Sequence, residues 1–302
     1  MNNKKKKISL FDFCNTIFLI LVLIIVTYPL YFTVIASFSS GNAVARGDVV
    51  FWPVEFTTAA YQHVLTNDDI WRGYANTIFY TVCGTMFNIL LTIPTAYVLS
   101  KKELPYRGVI MTFFLITMYF GGGMVPTYLL IKNLGLINTR LVLIVVNGLS
   151  VYNLIVSRTF FASNIPESLY EAAEIDGASE FKKMLSIALP LSKPIIAVMA
   201  LYYAVTHWNS YFNALLYITN KKLEPLQSVL RRILIQNDNA LQELLNAGIA
   251  DIDMLKDAAA MSYLASTMKY ALVFIASAPL LIAYPFVQKY FVKGAMIGAV
   301  KE

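Results

Sequence analysis

The sequence predicts an all-α membrane protein with six transmembrane helices and both termini in the cytoplasm. Of its 302 residues, 58% are hydrophobic and only 14% are charged, whereas about 25% of the residues in an ordinary soluble domain are charged. Six stretches of 17 residues or more lack Asp, Glu, Lys and Arg, and no other such stretch exceeds 12 residues. The shortest of the six reaches about 26 Å as a helix, close to the hydrocarbon thickness of about 30 Å.

The predicted helices follow these stretches in chain order. The first is expected to remain as an anchor and not to be a cleaved signal segment, because Ile17 to Phe38 is longer than the apolar part of a signal peptide. The third contains Gly121-Gly122-Gly123, which should loosen the helix because glycine adopts many backbone conformations. The approximate bounds of the six helices are 15–36, 74–99, 108–131, 141–162, 194–217 and 270–288.

Lysine and arginine are unevenly distributed among the segments that connect these helices. The segments on one side, 1–12, 101–107, 158–193 and 289–302, hold 14 of these residues in 69 positions, while the other side holds 10 in 85. Cytoplasmic segments of membrane proteins carry an excess of basic residues, so both termini are predicted to be cytoplasmic. The net charge of +6 therefore reflects membrane orientation and does not point to nucleic acid.

This topology predicts one transmembrane domain with two short tails. The longer external loop exceeds the length that a simple connection between helices needs, so we expect it to have a function. We expect it to contact an external partner; the alternative is a solvated cap over the pathway. A short helix is predicted in it near Leu241 to Leu245. The predicted bounds are 1–14 for the N-terminal tail, 15–292 for the domain, 293–302 for the C-terminal tail, 163–193 for the cytoplasmic loop, and 37–72 and 218–269 for the external loops.

The cytoplasmic loop between helices four and five is predicted to form a helix, a turn and a second helix. Pro166 suits the start of a helix, and Gly177 permits the turn. Asp176 is expected to cap the second helix, which Pro190 and Pro194 should end before helix five begins.

This loop resembles the cytoplasmic signature of the permease subunits of ABC importers. That signature is Glu-Ala-Ala, three residues, Gly, nine residues, Ile, any residue, Leu-Pro, and Glu171-Ala172-Ala173, Gly177, Ile187 and Leu189-Pro190 match all seven positions. Other segments of the chain resemble the carbohydrate-importer branch of this family. The long loop after helix five resembles the corresponding loop of Gram-positive permeases for oligosaccharides. The segments that resemble this branch are Phe160-Phe161 before Ile165-Pro166, Trp208-Asn209, Gly294 and Gly298-Ala299-Val300-Lys301.

The resemblance implies a permease subunit in the bacterial cytoplasmic membrane that imports oligosaccharides. It implies four partners: a second homologous permease, an ATPase homodimer, an extracellular lipid-anchored substrate-binding protein and the sugar. The chain has no Gly-x-x-x-x-Gly-Lys-Ser/Thr loop, so it is expected not to be an enzyme, and ATP with Mg is expected on the ATPase. The residues expected to contact the ATPase or support that contact are Leu169, Tyr170, Glu171, Ala172, Ala173, Asp176, Gly177, Ala178, Ile187, Leu189 and Pro190.

The path of an uncharged sugar should be lined by neutral polar and aromatic side chains, which offer hydrogen bonds and flat apolar surfaces. Such residues occur in helices four and five. Interhelical hydrogen bonding and interfacial anchoring are the alternative roles for each of them. The candidates are Asn147, Asn153, Tyr203, His207, Trp208, Asn209 and Asn213.

Three other classes of protein fit the sequence less well. An ion-coupled secondary transporter of a neutral polar solute typically needs ionisable residues inside the membrane, and His207 is the one such residue in the interiors of the six spans. A membrane enzyme needs a nucleophile, an acid–base pair or a metal cluster, and the acidic residues lie in loops while His63 and His207 are isolated. A structural scaffold would leave the signature of the cytoplasmic loop unexplained.

Overall fold

The computed structural model describes residues 10–233, 235, 263–265, 267–279, 281–282, 285 and 288. These residues are helical or irregular, and none of them forms a strand. Residues 226–233 and 267–279 are helical. The bounded helices are α1 (Leu10–Ser37), α2 (Gly41–Arg46), α3 (Ala59–Leu65), α4 (Asp68–Ser100), α5 (Arg107–Tyr119), α6 (Met124–Asn133), α7 (Arg140–Val145), α8 (Val151–Asn164), α9 (Glu167–Ile175), α10 (Glu180–Lys183), α11 (Leu189–Leu191), α12 (Lys193–Trp208) and α13 (Tyr211–Tyr217).

The described residues fall into two compact units. One contains the residues up to Asn67 together with those between Leu230 and Ser277, and the other contains Asp68–Val229 and the described residues from Ala278 onwards. The predicted cytoplasmic loop and all seven candidate sugar-path residues lie in the second unit. The C-terminal tail, the predicted helix near Leu241 and residues 1–9 of the N-terminal tail lie outside the described residues, while α1 begins at Leu10, within the predicted N-terminal tail.

In the first unit, α1 exposes most of its apolar side chains, as expected of a helix that meets lipid. Its last turn is buried, and Ile35 packs with Ala43 and Val49. Ser40 caps α2 by accepting a hydrogen bond from the Ala43 amide. The short helix α2 is thereby fixed against the end of α1.

In the second unit, the 33-residue helix α4 packs against α8 and α12. Two side chains near its start bind the segment that follows α13. Asn76 Nδ2 donates to the carbonyl oxygens of Lys222 and Glu224 at 2.9 and 3.0 Å, and the Tyr80 hydroxyl donates to the Leu223 carbonyl oxygen. The three carbonyl groups are not bonded within an α-helix, so these hydrogen bonds satisfy them and hold the segment in place.

The described residues contain two helices that are long and apolar enough to cross a membrane, α1 and α4. Two adjoining pairs meet the same condition only when each is taken together. The pair α5 and α6 bends by 110°, and the pair of Glu180–Leu191 with α12 bends by 81°, so each is a broken span or a re-entrant loop. Two to four of the six predicted spans are therefore recognisable by length and composition in the described part of the chain.

Three of the predicted helices are interrupted. The third breaks between Tyr119 and Met124, where Gly123 has a φ of +87°, so the glycine run has the predicted effect. The fourth is not continuous over 141–162, because α7 ends at Val145 and α8 begins at Val151. The fifth breaks after Trp208 and resumes as α13.

Candidate functional site

The predicted loop helix is α9, a nine-residue surface helix with no buried residue. It begins at Glu167, directly after Pro166, and ends in a Schellman turn. The Gly177 amide donates to the Glu174 carbonyl oxygen and the Ala178 amide donates to the Ala173 carbonyl oxygen, both at 2.9 Å. Gly177 has a φ of +72°, a left-handed conformation that disfavours side chains. Glycine at this position therefore fixes where α9 stops.

The second half of the loop differs in one respect from the sequence prediction. Ser179, rather than Asp176, caps α10, since its hydroxyl accepts a hydrogen bond from the Lys182 amide, while Asp176 ends α9. A π-helical turn, Met184–Ala188, then leads into α11. Met184 and Ala188 are buried and Leu189 packs beside them, so this part of the signature anchors the loop in the core.

The outward side of α9 combines charge with exposed apolar surface. Glu171 and Ala172 are accessible, and Leu169 is 42% exposed. Ile175, one turn after Glu171, is 87% exposed, and Phe181 on α10 is 67% exposed. Large apolar side chains so open to solvent are typical of a contact surface for another protein. Ile175 and Phe181 were missed at the sequence level, because they lie outside the matched positions of the signature.

The inward side of α9 is held by aromatic contacts. The Tyr170 ring is half-buried and lies edge-to-face with the Tyr97 ring of α4, with centroids 6.0 Å apart. The Lys101 ammonium lies 3.1 Å from the centroid of the Tyr170 ring and 5.0 Å from that of Tyr97. We call these three residues the Lys101 cluster. Tyr97 also packs edge-to-face on Phe161 of α8, at 5.9 Å, which ties the cluster to the core.

Ion pairs hold the same side of the loop. Lys183, whose side chain is 4% exposed, lies 3.0 Å from a Glu174 carboxylate oxygen and 2.6 Å from a Glu180 carboxylate oxygen. Hydrogen bonds to the two carboxylates raise the pKa of Lys183, so it stays charged at neutral pH. The Tyr97 hydroxyl donates to the other Glu180 oxygen at 3.2 Å. Outside this network, Lys102 pairs with Glu167 at 2.8 Å on the exposed surface.

A cavity of about 1050 Å³ separates α9 from the loop that connects α4 to α5. Its walls carry equal numbers of basic and acidic side chains. Arg158 and Arg107 both turn toward the end of α4, donating to the carbonyl oxygens of Leu99 and Lys101. These cations satisfy acceptors that a helix end leaves free.

Three of the candidate sugar-path residues, Asn147, Tyr203 and His207, lie around the break between α7 and α8. His207 is 1% exposed, and its Nε2 lies 2.6 Å from Asn88 Oδ1 on α4. Asn88 Nδ2 donates to the carbonyl oxygens of Asn147 and Gly148. One side chain of α4 thus satisfies two carbonyl groups of the broken helix and one imidazole. The buried His207 Nδ1 has no hydrogen-bond partner among the described residues.

Tyr203 makes a second connection at the same break. Its hydroxyl lies 2.7 Å from Thr92 Oγ1 on α4 and accepts a hydrogen bond from the Ser150 amide at 3.2 Å. We call Asn88, Thr92, Tyr203 and His207 the interior cluster. It joins α4, α12 and the start of α8 through amide, hydroxyl and imidazole groups.

The other four candidates are more varied. Asn153 and Trp208 are buried, Asn213 is half-buried and Asn209 is exposed. Asn209 Nδ2 donates to the Val205 carbonyl oxygen at 2.9 Å, within its own chain segment. The structure therefore brings Asn147, Tyr203 and His207 together and leaves Asn209 apart from them.

No group of three metal-binding side chains occurs among the described residues. The fold and this surface instead define a class of protein: a helical membrane component that displays a short helix for a partner.

Comparison with known proteins identifies the family. The family described as "Binding-protein-dependent transport system inner membrane component" matches residues 70–296, and the chain belongs to it. Protein LplC of Bacillus subtilis (strain 168) is 39% identical over 301 residues, which cover 100% of this chain and 98% of LplC. The polygalacturonan/rhamnogalacturonan transport system permease protein YtcP of the same organism is 36% identical, over 98% of this chain and 99% of YtcP.

A solved structure has the same fold. In the crystal structure of a bacterial ABC transporter involved in the import of the acidic polysaccharide alginate, one chain aligns with a TM-score of 0.82 and 31% identity, covering 96% of this chain and 100% of that one. The predicted family is therefore confirmed, and the chain is an ABC transport permease.

Proposed function

We propose that this chain is one of two permease subunits of a bacterial ABC importer for oligosaccharides. The observation that carries the proposal is α9, an exposed helix with a fixed glycine end and an inward side joined to α4. Such a helix can enter a groove of an ATPase and transmit its movement to the membrane part. ATP and Mg bind to the ATPase chains, which form a homodimer, and hydrolysis occurs there.

In this proposal the outward side of α9 makes the contact. Glu171 pairs with a basic residue of the ATPase, the small Ala172 allows close approach, and Leu169, Ile175 and Phe181 fill apolar parts of the groove. Desolvated apolar anchors usually supply most of the binding energy of an interface. A single α9 serves one ATPase protomer, so the complete importer needs a second, homologous permease.

The proposed topology has six spans, with both termini in the cytoplasm. Support comes from the two long apolar helices, the two bent pairs and the basic residues on the α9 side of the chain. The lipid-anchored binding protein then delivers the sugar from outside, and the loop of residues 218–269 is the proposed contact surface. Cysteine accessibility in intact cells tests this: residues 42 and 220 should react with an impermeant reagent, and residue 168 should not.

The proposed substrate is an oligosaccharide, by analogy with YtcP and with the melibiose/raffinose/stachyose import permease protein MelC of Bacillus subtilis (strain 168), which is 26% identical over 85% of this chain and 87% of MelC. The break between α7 and α8 offers neutral polar groups to a sugar, including Asn147 and Asn153. Ion-coupled transport is disfavoured because His207 is buried and paired with the neutral Asn88.

Reconstitution of the purified complex in vesicles tests the function. We expect two different permease chains and two ATPase chains, and uptake that depends on ATP and on the binding protein. An oligogalacturonate and raffinose serve as acidic and neutral probes. The Gly177→Leu variant should insert normally but lose substrate-stimulated ATPase activity, because a side chain at φ +72° would distort the end of α9. Normal transport by Gly177→Leu would contradict the proposal.

A further inference from the structure

We propose that Lys101 is the positioning residue that makes α9 and α4 move as one body. The inference rests on the proposed function of α9 as the ATPase contact. It assigns a role in coupling to a lysine that lies outside the signature.

The need for such a residue arises because so little of α9 is buried. The helix has nine residues, none of them buried, and its ends are a proline and a glycine turn. A helix held only by its two ends would tilt when an ATPase groove pushed or pulled on it. Transmission requires side-chain contacts between α9 and a transmembrane helix, and α4 is the long helix that α9 meets.

The Lys101 cluster provides this contact. Lys101 directly follows the last residue of α4, where the partial negative charge of the helix end favours a cation. From there its ammonium reaches the faces of Tyr97 on α4 and Tyr170 on α9. A cation held over two rings from different helices resists separation of those helices, and the attraction grows as water is excluded. Partial burial lowers the pKa of Lys101, while Glu180 opposes this change.

The geometry of Tyr170 points to its ring, not its hydroxyl, as the group that matters. The hydroxyl oxygen is buried and has no hydrogen-bond partner among the described residues, whereas the ring contacts both Tyr97 and Lys101. Burial, with help from Glu180, raises the pKa of Tyr170 to about 12, so the phenol remains neutral. A phenylalanine at this position would keep both of these ring contacts.

Lys102 is the natural control. It is adjacent in sequence and carries the same charge, but its partner is Glu167 on the exposed surface. Exposed ion pairs contribute little, because water and salt screen them. A role in membrane orientation or in general electrostatic attraction would affect both lysines alike, whereas the proposed role belongs to Lys101.

The experiment measures ATP hydrolysed per sugar transported by the complete importer in vesicles, together with the amount of ATPase that co-purifies with the permease. Lys101→Met keeps the aliphatic stem and removes the charge, and Tyr170→Leu removes the ring. We expect each to raise the ratio by about fivefold, as loss of one partly buried cation–ring contact would, with co-purification unchanged. Lys101→Arg, Tyr170→Phe and Lys102→Met should stay within about twofold of wild type, because each keeps the cation over the rings.

The double variant Lys101→Met/Tyr170→Leu should be no worse than either single variant, because both remove the same contact. A wild-type ratio for Lys101→Met, additive effects, or an equal effect of Lys102→Met would overturn the inference. Loss of the co-purifying ATPase in Lys101→Met would also overturn it, because Lys101 would then support docking. If Gly177→Leu also transports normally, the proposed function itself fails; if Gly177→Leu uncouples and Lys101→Met does not, only this inference fails.

Discussion

The interior cluster and the Lys101 cluster attach the same helix, α4, to its neighbours by opposite chemistry. In the interior, Asn88 and Thr92 use neutral amide and hydroxyl groups, and Asn88 alone serves three partners. At the end of α4, Lys101 uses charge and aromatic faces. A buried charge is costly in an apolar interior, whereas neutral hydrogen bonds are not. The difference indicates neutral hydrogen bonding where α4 is buried and a cation–ring attachment where α4 ends and meets α9.

The most damaging change to the interior cluster should be Gly84→Ala. A Cβ atom at Gly84 would overlap the buried ring of His207, which Asn88 holds in place, so the close approach of α4 and α12 would be lost. Overpacking of a well-packed site costs about 3 kcal/mol at the upper end of its usual range. We expect little assembled protein, measured by fluorescence-detected size-exclusion chromatography.

Gly108→Ala is the matched control, because it also lies in a helix and a Cβ atom there would meet open space. The double variant Gly84→Ala/His207→Ala should regain part of the assembly. Normal assembly of Gly84→Ala would show that α4 and α12 are not joined tightly at this point.

Replacing Asn88 should have the next largest effect. Asn88→Leu leaves the carbonyl oxygens of Asn147 and Gly148 without their donor and His207 without its partner. Each unsatisfied buried group costs about 1–3 kcal/mol in soluble proteins, and interhelical bonds in membranes average about 0.6 kcal/mol. We expect a total loss of about 2 kcal/mol, between these two limits, measured as lower thermal stability in detergent.

The control for Asn88→Leu is Thr95→Val on the same helix. The Thr95 hydroxyl donates to the Leu91 carbonyl oxygen of its own helix, so its loss should be close to neutral. Equal destabilisation by the two variants would mean that the interior cluster contributes no special attachment.

A change on the outward side of α9 should spare the stability of the permease and weaken its partner contact. Ile175→Asp places a charge on a residue that is 87% exposed, so the fold loses little, but an apolar groove would have to bury that charge. We expect affinity for the ATPase to fall about tenfold, as truncation of an interface anchor does. Titration of labelled ATPase onto permease vesicles measures this, and Ile175→Val should bind as wild type. Unchanged binding by Ile175→Asp would exclude this side of α9 from the contact.

The smallest effect is expected for the exposed ion pair at the same end of α4. Lys102→Gln removes the partner of Glu167, but both side chains are exposed, and hydrogen bonding to Lys102 lowers the pKa of Glu167 without burying either group. Thermal stability and uptake should therefore stay within experimental error of wild type. A loss comparable to that of Asn88→Leu would show that this exposed ion pair contributes as much as the buried hydrogen bonds of the interior cluster.

Sequence patterns were sufficient where the determinants are local. The glycine run breaks the third helix, Gly177 adopts the left-handed turn, and the spacing of the signature identifies the family. Prediction failed where a distant residue decides the outcome. The predicted fourth helix looks continuous in sequence, but its break is stabilised by Asn88 and Tyr203, which lie on other helices.

The same limitation explains the overlooked residues. In the sequence, Lys101 indicates only membrane topology, because no local pattern reveals that its ammonium meets Tyr170. In the sequence, Asn88 is one amide in an apolar stretch. Its role is visible only in the fold, where its partners come from other helices. The sugar-path candidates come from helices four and five only. Including the polar residues of every predicted span would add Asn88 and Thr92.

The nine-residue spacer of the signature, between Gly177 and Ile187, ends in the π-helical turn at Met184–Ala188. The number of residues in the spacer therefore determines how the first part of the loop is rotated relative to α11. A turn closed by i→i+5 bonds accommodates one more residue than an α-helical turn. Because the wider turn already accommodates its extra residue, inserting one more residue here would rotate the preceding part of the loop by about 100° relative to α11. The buried side of Met184 would then turn to the surface while Leu189 stayed in place. The length of the spacer therefore sets the direction of α9, and lengthening it would turn α9 away from the proposed ATPase contact.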